Sequence, residues 1–206
     1  CDGCSPTYDD LVNVETFPAR SRIALATSSL APGAFFSKNT LGPNQDGCVC
    51  YKIDRDQFTE RAIGLSSTDG GVNWTSIDYG IYFNGQGSGQ GYSLDIIENG
   101  NIVQSFSRIQ GGQSFTICRE GNEIQYKYNG EILHSSPTDP STSLYLDGFL
   151  GLPYSWFDDV SLSFCDTVGC KLTVMPGDTL LVCPGSTIQL EVTGAPYVYW
   201  ETLSAE

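Results

Sequence analysis

The stretch Ser114–Ser136, SFTICREGNEIQYKYNGEILHSS, decides the fold. Ile124, Tyr126 and Tyr128 alternate with Gln125 and Lys127, which is the period of a half-buried strand. Asn129-Gly130 then supplies two residues that tolerate positive φ, as a tight type I′ hairpin turn demands. Ile132 resumes an apolar strand directly after it. Upstream, Glu120-Gly121-Asn122 separates a matching strand, Phe115–Arg119, from the same hairpin. The spacing predicts three antiparallel strands with short connections, none carrying an obvious catalytic group. This is a scaffold, so function lies in what the scaffold displays.

The same pattern extends outward. Val49, Tyr51 and Ile53 share one face of a strand within Asp46–Ile53, and Cys48, Cys50 and Lys52 share the other. In Ile77–Phe83, the residues Ile77, Tyr79, Ile81 and Phe83 point one way, while Asp78, Gly80 and Tyr82 point the other. Ile23, Leu25 and Phe35-Phe36 are early strand candidates, with Arg61–Ser66, Tyr92–Ile97, Ile102–Phe106, Leu144–Phe149 and Val160–Phe164 further on. Glu98-Asn99-Gly100 is another turn, and the glycine-rich run Gly85–Gly91 reads as an exposed connection. About ten strands at this spacing, with no helix of normal length, predict an all-β antiparallel sandwich.

Composition narrows the partners. The chain has 206 residues, with 24 acidic against 10 basic side chains and a formal net charge of −14. Nucleic acid is a poor partner, because neutralising phosphate takes clustered Lys and Arg. No segment approaches the ~20 apolar residues of a membrane helix, so no membrane insertion is expected. No signal peptide is present, which fits a mature chain or a fragment. The acidity reads mainly as solubility, and secondarily as a capacity for divalent cations.

The eight cysteines (Cys1, Cys4, Cys48, Cys50, Cys118, Cys165, Cys170 and Cys183) are even in number and irregular in spacing. Zinc fits poorly: the chain has one His, and Cys48-x-Cys50 is tighter than a zinc knuckle. Disulfides in an oxidising compartment account for the set better. Cys118, like Cys48 and Cys50, falls on the side of its strand away from the core, so a bridge from Cys118 to one of that pair is expected.

A boundary follows Phe164. Cys165-Asp166-Thr167-Val168-Gly169-Cys170 echoes Cys1-Asp2-Gly3-Cys4, and strands start afresh at Leu172, Asp178–Val182 and Thr187–Val192. The roughly 36 residues after it are too few to close an independent sandwich. The tail therefore either belongs to a domain cut short at Glu206 or packs on the first one.

Six motifs in order carry a resemblance: GLSS (64–67), IDYGIYF (77–83), IIENG (96–100), the strand Gly111–Ile117, IQYKYNGEILHSS (124–136) and LYLDGFL (144–150). Together they resemble the concanavalin A-like, jelly-roll β-sandwich domains (lectin/glucanase type) of very large bacterial cell-surface proteins exported by type IX secretion. Those domains show a "GLS" strand, an "IDYAIY" strand, a "YENG" turn and a "YYNG" hairpin in similar order, and the likeness spans about residues 12–164. The tail DTLLVCPGSTIQLEVTGAPYVYW (178–200) resembles the opening half of an immunoglobulin-like repeat of the same proteins. If Cys183 is the first cysteine of such a repeat, its partner lies beyond Glu206, with a local Cys170–Cys183 bridge as the competing pairing. The implied organisation is a lead-in from a preceding module at 1–11, the sandwich at 12–165, and the start of an immunoglobulin-like domain at 166–206.

Glycoside hydrolysis needs two carboxylates facing each other across the sugar. The Glu-x-Asp-x-x-Glu strand signature of laminarinase-type relatives is absent. Asp95 and Glu98 are the nearest pair, but Glu98 falls at a turn, where a backbone-satisfied carboxylate is the plainer reading. His134, at the end of the hairpin's return strand, has no nucleophile elbow to serve. Binding is harder to dismiss. Trp74, Tyr82, Tyr92, Tyr154 and Trp156 fall in loops or on non-core strand faces, where aromatic rings stack on sugars, although most aromatics of a sandwich are core. Calcium would take Asp54 with Asp56, or Asp158 with Asp159, through oxygen ligands, against the simpler reading of solvated acids. Asn73-Trp74-Thr75 is an N-x-T triplet. Thr167 and Thr179, each in an Asp-Thr-aliphatic triplet, resemble the O-glycosylation pattern of the same bacterial phylum.

The expected function is that of a non-catalytic extracellular cell-surface module of an adhesin or surface filament. It would mediate attachment or display through surface glycans or through other copies of the same protein. A carbohydrate-binding module of a secreted enzyme, a purely structural spacer and a hydrolase are the alternatives, in that order.

Overall fold

The computed structural model describes residues 3–26, 31–53, 59–84, 92–109, 112–151 and 155–164. These all belong to the first of two compact units, Cys1–Asp166 and Thr167–Glu206. The tail expected to open an immunoglobulin-like domain, with Cys170, Thr167, Thr179 and Cys183, lies outside the described residues, as do Cys1, Asp54, Asp56, residues 85–91, Tyr154 and Cys165.

Among the described residues there are fourteen strands, numbered in chain order, and no helix long and apolar enough to cross a membrane. Sheet 1 contains β1 (Tyr8–Val12), β4 (Gly33–Leu41), β6 (Glu60–Ser66), β7 (Tyr79–Asn84), β8 (Tyr92–Glu98), β9 (Asn101–Ile109) and β13 (Leu144–Leu150), in the spatial order β1-β4-β13-β6-β7-β8-β9. Sheet 2 contains β2 (Val14–Phe17), β3 (Arg22–Leu25), β5 (Gly47–Lys52), β10 (Ser114–Glu120), β11 (Glu123–Tyr128), β12 (Glu131–Pro137) and β14 (Trp156–Leu162), in the order β12-β11-β10-β5-β14-β3-β2. Every pairing is antiparallel. The all-β sandwich expected from the sequence is what forms.

The hairpin turns behave as their residues dictate. Asn129 and Gly130 have φ of 50° and 83° between β11 and β12, and Asn99 and Gly100 have 48° and 76° between β8 and β9. Both pairs meet the positive-φ requirement of a type I′ turn, which matches strand twist. Four expectations shift. Residues 1–11, expected as a lead-in from a preceding module, contribute most of β1, and β2 follows it; both are mostly exposed and so show little alternation. The last strand runs Trp156–Leu162 rather than 160–164. His134 lies inside β12, opposite Tyr126, not at its end. Ile77 precedes β7 and turns away from the main core.

That core lies between the sheets and is aromatic at its centre. Tyr51 of β5 stacks on Phe115 of β10 (centroids 5.6 Å, 14°), and edge-to-face contacts join Tyr51 to Phe157 (5.3 Å) and Phe115 to Phe83 of β7 (5.2 Å). Such geometries add about 0.5–1.5 kcal/mol per pair to the burial itself. Val49, Tyr51 and Ile53 are all fully buried in this cluster, as their alternation predicts. Arg119, also fully buried, donates to the backbone carbonyls of Gln45 (2.8 Å), Thr142 (2.5 Å), Leu41 and Gly42, tying two loops to the end of β10.

On the outer side of sheet 2, Cys48 and Cys118 stand directly opposite each other on β5 and β10 and are bridged, with Cα atoms 4.0 Å apart. This is one of the two pairings expected for Cys118. Cys4 and Cys50 are disulfide-bonded as well. The bridge closes a loop with a sequence separation of 70 residues. Replacing both partners by alanine is expected to lower the unfolding free energy by about 2–4 kcal/mol, measured by guanidinium titration of the double variant against the parent.

Candidate functional site

The outer face of sheet 1 collects the displayed side chains in rows set by the register. Ala62 of β6 faces Phe149 on one side and Tyr82 on the other, and Tyr82 in turn faces Asp95. The next row runs Phe36, Asp147, Gly64, Gly80, Ile97. Ala62, Ile77, Tyr82, Ile97 and Phe149 form a second, smaller apolar cluster, with Trp74 packed against it.

Two glycines explain how Trp74 reaches this face. A Cβ on Gly64 or on Gly80 would lie 2.8 Å from Ile77 Cγ2, inside the contact distance that real side chains show. Their bareness lets Ile77 lie flat on the sheet. Ile77 closes the short 3-10 turn Trp74–Ser76, whose start is capped by Asn73 Oδ1 accepting from the Thr75 N–H at 3.0 Å. The turn then delivers the indole onto the Tyr82 ring, with centroids 4.5 Å apart and planes at 22°. The turn resets the alternation read from Ile77–Phe83, which is why Ile77 joins the outer cluster while Ile81 and Phe83 stay in the main core.

Tyr82 is on the non-core side, as expected, but is only 9% exposed, and its hydroxyl donates to Glu60 Oε1 at 2.5 Å. Burial raises its pKa, helped by the Glu60 hydrogen bond and by the charges of Glu60 and Asp95. Trp74 remains half-buried, beside Val72 at 39% exposed. The result is an indole backed by a phenol that is itself bonded to Glu60 and faces Asp95 across the strand pair. Stacking surface and hydroxyl acceptors are thereby adjacent. Glu60 carries no local signal in the sequence, because its role depends on how β6 and β7 pair across the sheet.

The other candidates lie elsewhere. Trp156 opens β14 in sheet 2, where Arg22 sits 4.7 Å over its ring and its Nε1–H donates to Asp158 Oδ2 at 2.9 Å. Asp158 is also held by Arg22, at 2.5 and 3.1 Å, and Asp159 by Lys52 at 2.7 Å. Both acids thus have cationic partners, and among the described residues no group of three or more His, Cys, Asp or Glu side chains is placed to hold a metal. Tyr92 begins β8, and its side chain lies outside the described residues. Asn73 is exposed. Asp95 shares the outer face with Tyr82, while Glu98 accepts from the buried Tyr126 hydroxyl at 3.0 Å on the core side. These two carboxylates do not flank a common site. His134 Nε2 pairs with Ser136 Oγ at 3.0 Å.

No protein-family model matches the sequence, and no curated protein does. Among solved structures, the chain is similar to the exoplasmic/lumenal domain of VIP36 in its Ca2+/Man2-bound form, with a TM-score of 0.53 and 8% identity over 81% of this chain and 83% of that one. The carbohydrate recognition domain of Emp46p in its potassium-bound form gives a TM-score of 0.53 and 9% identity over 76% and 88%. That of Emp47p gives 0.51 and 8% over 76% and 87%. The fold is that of the concanavalin A-like lectins. At these identities the likeness is one of fold alone.

Tyr82→Phe is expected to cost about 1.5 kcal/mol, the worth of a hydrogen bond to a charged acceptor, and to leave the main core intact. Urea denaturation together with near-ultraviolet circular dichroism measures both.

Proposed function

We propose that the chain is a non-catalytic carbohydrate-binding module of an extracellular protein, with the outer face of sheet 1 around Trp74 as its recognition surface. The observation that carries this reading is the Trp74–Tyr82 stack, whose phenol is bonded to Glu60 and faces Asp95. An indole face excludes water from the apolar side of a sugar ring, and carboxylates accept from its hydroxyls. The solved structures of similar fold include carbohydrate recognition domains, and one is bound to Man2, which supports the reading by analogy.

Charge selects among glycans. A chain of net charge −14, two of whose carboxylates lie beside the Tyr82 ring, repels uronate and sulfated polymers. Neutral oligosaccharides are the class this face suits. The Cys48–Cys118 bridge fits an oxidising compartment outside the cytosol. A calcium contribution is proposed only for Asp54 and Asp56, since Asp158 and Asp159 are neutralised by Arg22 and Lys52. Attachment at a cell surface is the wider setting, whereas type IX export and filament assembly rest on the sequence resemblance alone.

A glycan array followed by calorimetry on its best neutral hit tests the proposal. Trp74→Ala is expected to weaken binding roughly thirtyfold, the loss typical of a central aromatic anchor, and Trp156→Ala to leave it unchanged. Binding confined to acidic glycans, or equal binding by the Trp74 variant, would overturn the reading. Dialysis against EDTA that leaves affinity unaltered removes calcium from it.

A further inference from the structure

Asp147 is a carboxylate placed where a sandwich rarely puts one. It lies on the outer face of β13, 2% exposed, between Phe36 of β4 and Gly64 of β6. The Ser66 hydroxyl and the Gly148 backbone hydrogen-bond to it, but Oδ2 is buried with no hydrogen-bond partner among the described residues. An unpaired buried charge is among the costliest features a fold can carry.

The charges acting on this group are alike. Asp69, in the segment that brings Trp74 to the sheet, and Asp78, directly after its last residue Ile77, repel its anion. From β4, Lys38 is exposed and engaged with Asp9 at 3.7 Å. From β6, Arg61 lies toward the core, near the Phe83 and Phe157 rings, and Glu60 is bonded to Tyr82. On β13 itself Tyr145 packs on Phe36. Among the described residues, no cation is among the charges that act on Asp147.

The two repelling acids also shape the segment. Asp78 Oδ2 accepts from Ser67 N and Ser67 Oγ, each at 2.7 Å, and the Asp78 N–H donates to Ser66 Oγ at 3.2 Å. Asp69 Oδ1 accepts from the Gly71 N–H at 2.8 Å. Ser66 therefore connects Asp147 to the base of the segment that ends in Trp74 and Ile77.

We infer that Asp147 is a pH-operated latch: as the neutral acid it lets residues 67–77 lie closed on sheet 1, and as the carboxylate it repels Asp69 and Asp78 and loosens the segment that holds Trp74. Burial, first among the causes, raises its pKa to about 7. Since the folded value exceeds the unfolded one, the stability it supports is complete below about pH 4 and is lost as pH rises through about 7. If the face around Trp74 binds saccharide, as proposed above, affinity falls over the same interval; the latch itself operates without ligand.

Hydrogen exchange of the ligand-free chain at pH 6 and pH 8, corrected for intrinsic rates, tests this directly. Amides of residues 67–77 are expected to lose protection about tenfold, the factor by which the neutral fraction falls, while β10–β12 stay unchanged. Asp147→Asn is expected to abolish the difference, and Asp69→Asn, at an exposed position, to shrink it. Equal protection of the segment at both pH values in the parent chain, or the same pH response in the Asp147 variant, would overturn the latch. Because no saccharide enters the measurement, its outcome is separable from that of the binding experiment.

Discussion

The contact on which the rest depends is the aromatic packing between the sheets. Tyr51, Phe115 and Phe157 from sheet 2 meet Phe35 and Phe83 from sheet 1. A strand presents successive side chains to opposite faces, so placing Phe83 in this layer forces Tyr82 outward. A one-residue slip of β7 would exchange them and bury the Tyr82 hydroxyl away from Glu60. The inner layer thus sets the outer one.

What the outer face then displays is decided by bare backbone. Gly64 and Gly80 leave a flat floor, Ile77 settles on it, and the 3-10 turn ahead of Ile77 places an indole over a phenol. The arrangement couples packing to electrostatics, because the segment that positions Trp74 carries Asp69 and is followed directly by Asp78, both close to a buried Asp147. Site geometry and site charge are held by the same dozen residues.

Much of the fold was legible because its signals are local. Asn129-Gly130 announces a hairpin by its own conformational preference, and Tyr51 and Ile117 reveal a core face by alternation. Cys118 was placed toward Cys48 or Cys50 for the same reason, although register alone decides for Cys48. The site was half legible. Trp74 and Tyr82 stand out singly in the sequence, but their stacking depends on a 3-10 turn that breaks the alternation. Glu60 and Asp147 were invisible as site neighbours, since nothing near either in the chain shows what lies across the sheet. Asp158 and Asp159 looked like oxygen ligands because their cationic partners, Arg22 and Lys52, are more than a hundred residues away in sequence.

Taken together, the described residues form a disulfide-bridged antiparallel sandwich with an aromatic stack on sheet 1 and, on sheet 2, a tryptophan held by the Arg22–Asp158 ion pair. The central claim is that recognition belongs to the first of these. The indole N–H signals of Trp74 and Trp156 in a two-dimensional nitrogen–proton spectrum report on the two faces separately. Titration with a neutral oligosaccharide such as mannobiose or a laminarin oligomer should move the Trp74 signal in a saturable way and leave that of Trp156 in place. Movement of Trp156 with Trp74 fixed would contradict the account.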